Sequence, residues 1–348
     1  MPNHFHFVVP GELATLTGGY IYDRRIVEGA RALGWEVDVH ELDDGFPCPT
    51  AAARQRAADV LGTIPDRSLV VMDGLALGAM PALVEAVSAR LRCVALIHHP
   101  LAQESGLSES ERGRLESDER RALAAPARVI VTSGHTARSL HRVYGVAPGR
   151  ITVVEPGTAR APGSSGGDGR VVQLLCVATV IPRKGHALLV EALARLSHLP
   201  WRLTCIGSLQ RAPATVAALR TQIRRRGLQS RIRLWGETDA ETLASAYSHS
   251  DVFVLPSLHE GYGMAPAEAL AHGLPIVGTR AGAMVDTVPA EAGYLTPLGD
   301  IDAFGEAMAL VIQDPDLRQR LARGARAAGL ALPTWADTCR RFVAALAR

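Results

Sequence analysis

Short apolar runs alternate with longer stretches of helical periodicity along the whole chain, and this alternation predicts parallel strands joined by crossover helices. In the first half the strand candidates are His4 to Val9, Glu36 to Leu42, Ser68 to Met72, Cys93 to Ile97, Arg128 to Val131 and Ile151 to Val154. In the second half they are Val172 to Val177, Arg202 to Ile206, Ile232 to Trp235, Val252 to Leu255, Pro275 to Gly278 and Gly293 to Leu295. The predicted class is α/β, with two Rossmann-like doubly wound parallel sheets of similar size. Glu155 to Gly169, rich in Pro, Gly and Ser, reads as a linker between them. The expected boundaries are residues 1–158 for the N-terminal domain, 159–170 for the linker and 171–332 for the second domain. Pro333-Thr334-Trp335 starts a last helix with Thr334 as its N-cap, and residues 333–348 are expected to pack back on the first domain.

Two such sheets leave a cleft between them, and open parallel sheets bind ligands beyond the carboxyl ends of their strands. The loop after Val252 to Leu255 runs from Pro256 to Gly273 and hands over to a helix, with Pro266 suited to its first turn and Gly273 to its end. The N–H groups of Gly263, Met264 and Ala265 then point out of the helix start and form an anion site reinforced by the dipole. Gly261 and Gly263 let the backbone approach a ligand closely. Glu260 on the loop and Glu268 about one turn into the helix set two carboxylates beside that site. Acids there make electrostatic sense if they bind hydroxyls, which points to a ribose and a hexose flanking a diphosphate.

Composition narrows the classes. At 348 residues, 47% hydrophobic and 21% charged, the chain is ordinary for a globular protein and too long for one compact core. A formal net charge of +2 argues against a nucleic-acid binder. Arg224-Arg225-Arg226 reads as the solvated face of a helix ending near Gly227, so peripheral contact with anionic headgroups is the most a membrane role could claim. Cys48, Cys93, Cys176, Cys205 and Cys339 show no CxxC spacing and are odd in number, which points to a reducing cytosol. The N-terminus lacks the basic and apolar regions of a signal peptide. The best apolar span, Leu69 to Val87, is interrupted by Asp73, Gly74, Pro81 and Glu85. A cytoplasmic protein is expected.

Lys184 is the one lysine among 37 Lys and Arg residues, and it follows the apolar run Val171 to Val180 in Ile181-Pro182-Arg183-Lys184-Gly185-His186. A lone ammonium in a chain that spells its other cations as arginine marks a position where a compact point charge is wanted, as it is beside phosphate.

Glu260 and Glu268 with seven intervening residues, the turn Arg183-Lys184-Gly185 and the pair Gly18-Gly19 together resemble the retaining glycosyltransferases of family 4, which have the GT-B fold. The resemblance spans nearly the whole chain and includes Ser257, Ala281-Gly282-Ala283, Gly293-Tyr294-Leu295 and the tryptophan-led last helix. It implies a nucleoside diphosphate sugar held mainly by the second domain, with Arg183 and Lys184 on the diphosphate and Glu268 on the ribose. Glu260 and the backbone of Gly261, Tyr262, Gly263, Met264 and Ala265 would hold the transferred sugar and the β-phosphate. The first domain would lie on the acceptor side, with Gly18 and Gly19 opening a helix over diphosphate and acceptor. His98 would contact the donor sugar, whereas His99 stands where the family carries an acid. No cofactor is implied beyond the donor substrate. No metal site is expected either, since Asp314-Pro315-Asp316 reads as a helix N-terminus and Asp43-Asp44 as a polar turn. Three other readings stay open: a phosphorylase carrying pyridoxal phosphate on Lys184, a sugar-nucleotide epimerase, and an inactive nucleotide-sugar binding protein.

Overall fold

The computed structural model describes residues 3–104, 106–167 and 169–347. Asp168 of the predicted linker and Arg348 at the end of the predicted last helix lie outside the described residues. The chain divides into two compact units, Met1–Gly157 with Pro333–Arg348, and Thr158–Leu332.

Unit 1 carries the strands β1 (His4–Pro10), β2 (Glu36–Leu42), β3 (Leu69–Asp73), β4 (Arg92–Ile97), β5 (Arg128–Val131) and β6 (Ile151–Val153). They form one parallel sheet in the order β2-β1-β3-β4-β5-β6. Unit 2 carries β7 (Val172–Val177), β8 (Trp201–Ile206), β9 (Ile232–Gly236), β10 (Val252–Leu255), β11 (Ile276–Thr279) and β12 (Gly293–Thr296), in the order β12-β11-β10-β7-β8-β9. All twelve sequence-predicted strands are present. They were legible because a strand covered by helices on both faces must be apolar at consecutive positions, as Leu69-Val70-Val71-Met72 and Val252-Phe253-Val254-Leu255 are.

Alternation along β1 shows how the two faces of its sheet are filled. Val8 joins a cluster with Met72, Ile97 and Leu140, while Phe5, Phe7 and Val9 join Tyr22, Ile26 and Phe342 on the other face. Phe342 belongs to the last helix, Trp335–Ala347, so that helix completes the unit 1 core. Burying a side chain of this size contributes about 1.5–3 kcal/mol. The helix start is fixed by Thr334 and Asp337, whose side chains and backbone N–H groups bond reciprocally at 3.2 and 3.0 Å.

The segment read as a linker hydrogen-bonds to unit 2. Ser164 N–H donates to His272 O at 2.6 Å, Arg326 donates to Ala161 O at 2.6 Å, and Gly167 N–H donates to an Asp251 carboxylate oxygen at 3.1 Å. Its Pro, Gly and Ser content forecast irregular backbone correctly. Irregular backbone still has to satisfy its polar groups, and here it does so on the neighbouring surface.

In both sheets the strand order reverses beside the first strand, between β1 and β3 in unit 1 and between β7 and β10 in unit 2. Such a reversal sends successive crossover helices to opposite faces and opens a crevice at the carboxyl ends of the two strands.

Candidate functional site

The unit 2 crevice is built from the loops that leave β7 and β10. After β7 the chain makes the short turn Pro182–Lys184 and closes it with Gly185 at φ +70°. A Cβ at Gly185 would run into the carbonyl of Pro256, so the close contact between the two loops requires glycine there. Leu258 N–H donates to Arg183 O at 2.8 Å and the Arg183 guanidinium donates to His259 O at 2.9 Å, stitching the loops together.

Across this seam the Lys184 ammonium meets Glu260 Oε1 at 2.6 Å, and Ser257 Oγ donates to the same oxygen at 2.5 Å. Both side chains are largely buried, with 17% of Lys184 and 7% of Glu260 exposed. Burial alone would raise the Glu260 carboxyl, but Lys184, then Arg183, and the hydrogen bonds from Lys184 and Ser257 outweigh it and hold the group below its ordinary value. Glu260 is therefore an anion at neutral pH. Its backbone is fixed too, since Glu260 O accepts from Ala283 N–H at 2.8 Å.

Beyond Glu260 the chain passes Gly261 and buried Tyr262, whose carbonyl accepts from Thr287 Oγ1 at 3.0 Å. Gly263, at φ +92°, then caps the helix Met264–Ala271. The first bond of that helix runs from Ala267 N–H to Gly263 O at 3.0 Å, so the N–H groups of Gly263, Met264 and Ala265 precede its hydrogen-bond ladder and form its positive end. Glu268 is half-buried one turn on and accepts from Tyr247 Oη at 2.9 Å. Burial pushes its carboxyl up, and the Tyr247 hydrogen bond offsets part of that rise. Tyr247 in turn stacks on His272, with ring centroids 5.0 Å apart and planes 13° apart.

Beneath the turn, Cys176 on β7 and Cys205 on β8 sit side by side in register, and Cys176 Sγ lies 3.8 Å from His186 Nε2. Both thiols are buried. Their contact with the first residue of the helix His186–Arg195 also anchors the far side of the Lys184 turn.

In unit 1, Gly18 opens the helix Gly18–Ala32 and Gly19 lies against the His98 ring, where a Cβ would stand 3.3 Å from its Cδ2. His98 follows β4, and its Nε2 is 3.0 Å from Asp23 Oδ1 and 3.3 Å from Asp73 Oδ2. Both aspartates are buried, and 18% of the His98 side chain remains exposed. Burial alone would lower the imidazole, but the two carboxylates reverse this and raise it to about 10, so the ring is charged at neutral pH. Asp23 is raised to about 6 by burial, against the pull of His98. His99 points elsewhere in the loop, with Nε2 3.4 Å from Glu104.

Sequence reasoning missed Asp23, Asp73 and Tyr247. Asp23 sits four residues after Gly19 on the same helix face, and Asp73 ends a strand on the side where ligands bind, so both positions carried a readable signal.

Comparison with known proteins agrees with this geometry. Residues 162–328 match the family described as "Glycosyl transferases group 1", and residues 70–160 match "Glycosyltransferase Family 4". A D-inositol 3-phosphate glycosyltransferase of Xylanimonas cellulosilytica is 30% identical over 62% of this chain and 56% of its own length. The chain thus spans little more than half of that curated relative. Among solved structures, sucrose-phosphate synthase from Thermosynechococcus elongatus superposes with a TM-score of 0.82 at 21% identity, covering 98% of this chain and 97% of its own. Anabaena HepE in complex with UDP and glucose gives 0.77 at 16% identity, covering all of both chains. The fold class is GT-B, two doubly wound parallel-sheet units in one chain. Within that class the chain belongs to the family 4 type of glycosyltransferases.

Proposed function

We propose that the chain transfers a sugar from a nucleoside diphosphate sugar to an acceptor hydroxyl, with retention of anomeric configuration and without a metal ion. The observation that carries this is the buried Lys184–Glu260 pair, joined to Arg183 at the β7/β10 crevice beside the positive end of a helix. Breaking the anomeric C–O bond drives charge onto the departing diphosphate, and preorganised cations and N–H donors lower a barrier most where charge develops. Arg183, Lys184 and the N–H groups from Gly263 to Ala265 supply those charges from the protein. Glu260 holds the sugar, and Glu268, steadied by Tyr247, accepts from the ribose hydroxyls. The acceptor oxygen bonds to the anomeric carbon on the face the phosphate leaves, and its proton passes to the departing phosphate oxygen. His98, kept cationic by Asp23 and Asp73, donates to the sugar.

The complex of HepE with UDP and glucose supports a nucleoside diphosphate donor and makes uridine diphosphate the first to try. Five unpaired cysteines support work in a reducing compartment. Among the described residues no helix is long and apolar enough to cross a membrane. The test is thermal stabilisation by a panel of nucleoside diphosphates and their sugars, followed by proton NMR of the product formed in excess EDTA. A donor that stabilises and yields a product of unchanged anomeric configuration supports the reading. An inverted product, or no stabilisation by any nucleotide, rejects it.

A further inference from the structure

At the end of the unit 1 sheet opposite the His98 loop, four side chains converge that sugar transfer leaves unused. Strands β1 and β2 pair in parallel with His6 opposite Asp38. Residues two apart on a strand share a face, so His4, His6, Asp38 and His40 all project from one side of this two-strand edge. Their ligand atoms face one another: His4 Nε2 is 3.0 Å from Asp38 Oδ2, His6 Nδ1 is 3.5 Å from that same oxygen, and His6 Nδ1 is 3.0 Å from His40 Nε2.

Stability alone gives no reason for the arrangement. It crowds three imidazoles, with ring centroids 4.8 and 5.2 Å apart. It also places His6 Nδ1, on a buried ring, 3.5 Å from Asp38 and 3.0 Å from His40. His4 and Asp38 are 30% and 52% exposed, which leaves an ion a way in from solvent.

We infer that His4, His6 and Asp38 form a divalent transition-metal site, suited to zinc, that clips the edge strand β2 to β1, with His40 beside it against His6. Imidazole and carboxylate donors at zinc, with bonds near 2.0–2.1 Å and tetrahedral angles, place ligand atoms roughly 3.3 Å apart. The separations of 3.0 and 3.5 Å from Asp38 Oδ2 bracket that spacing, and the ligand atoms of His4, His6 and Asp38 all lie within 4.8 Å of one another. Two nitrogens and one oxygen favour zinc, nickel or copper(II) over calcium or magnesium, which take oxygen donors. A bound ion closes the chain between residues 6 and 38, and with it the helix Gly18–Ala32, without touching the sugar-transfer residues.

The test uses the full chain without an affinity tag, dialysed against chelator and titrated calorimetrically with zinc chloride. The expected result is about one equivalent bound, and a melting temperature raised by about 5 °C or more at zinc a hundredfold above Kd. His4→Gln and Asp38→Asn, at positions open enough to keep the fold, should each weaken binding at least tenfold, with circular dichroism unchanged. Cobalt(II) in the same site should give weak visible bands without the intense near-ultraviolet band of a thiolate complex. This separates it from the buried trio Cys176, His186 and Cys205, the other close-set group with soft donors. Absence of zinc binding overturns the inference, as does binding that survives both substitutions or disappears with Cys176→Ser.

Discussion

Lys184 with Glu260, and His98 with Asp23 and Asp73, occupy the same topological place in their two sheets, where strand order reverses, yet they balance buried charge in opposite senses. In unit 2 one carboxylate faces an ammonium and a guanidinium, leaving a cation in excess. In unit 1 one imidazolium faces two carboxylates, leaving an anion in excess. A cation excess beside a helix N-terminus suits a diphosphate; an anion excess suits holding a single ring in one charge state. The likeness of the scaffolds therefore decides little, and the sign of the local charge decides which ligand group each crevice can take.

The harshest break of this contrast is Lys184→Ala. It removes the ammonium from the developing charge and should lower turnover by about 10²-fold or more. It also strands Glu260 in a buried position, which costs about 3–5 kcal/mol when one partner of such a pair is removed. The double variant Lys184→Met/Glu260→Leu separates the two effects, because it should recover much of the lost stability while staying inactive. Recovery of activity along with stability would mean that the pair serves the fold alone.

Next in size is the division between the glutamates. Glu260→Gln should leave affinity for the bare nucleoside diphosphate nearly unchanged and lower turnover, as expected of a group that matters chiefly in the transition state. Glu268→Gln should weaken the bare nucleotide and the whole donor alike. Calorimetry with the nucleotide, then kinetics with the donor, distinguishes the two. Equal loss of nucleotide affinity in both variants would dissolve the assignment.

The unit 1 cluster makes a prediction of opposite kind, in pH. The folded value of His98, about 10, lies above its ordinary 6.5. Its stabilising contribution is therefore complete below about 6.5 and is lost as pH rises towards 10. Asp23 is raised to about 6 from 3.8, so it also favours the fold more at low pH, with its share lost between those values. Asp23→Asn removes one carboxylate and lets the His98 value fall. The melting temperature of the variant should then decline less steeply than that of the parent chain between pH 7 and pH 10. Parallel curves would show that His98 does not depend on Asp23.

What the sequence disclosed and what it withheld follow one physical line. Local facts were readable: twelve apolar runs, the Thr334 cap, the glycine before His186 and the solitary Lys184 all act within a few residues. Pairings were not. Lys184 and Glu260 are 76 positions apart, and His98 and Asp23 are 75 apart. Lys184 and Glu260 meet because the strand order reverses between β7 and β10, His98 and Asp23 because the helix after β1 reaches the end of β4, and no stretch of either segment encodes that arrangement. Residue type gave the charges, and topology alone gave their partners. The partners of the linker segment were hidden for the same reason, since composition reports backbone irregularity and not the surface that will satisfy it.

The smallest effect concerns Tyr247, which tests whether Glu268 needs its supporting hydroxyl. Tyr247→Phe keeps the ring that stacks on His272 and removes only the hydroxyl, which hydrogen-bonds to the carboxylate at 2.9 Å. One such bond is worth about 0.5–1.5 kcal/mol, so nucleotide affinity should fall between about twofold and tenfold. The hydroxyl favours the ionised form of a carboxyl that burial already pushes up. Its loss should raise that carboxyl further, and the acid-side decline in nucleotide affinity should begin at a higher pH than in the parent chain. Calorimetric titrations across the acid range read both effects at once. An unchanged affinity with an unchanged pH profile would mean that Glu268 is held by the helix alone, and that the hydroxyl of Tyr247 answers to the carbonyl of Ala265, 3.2 Å away, instead.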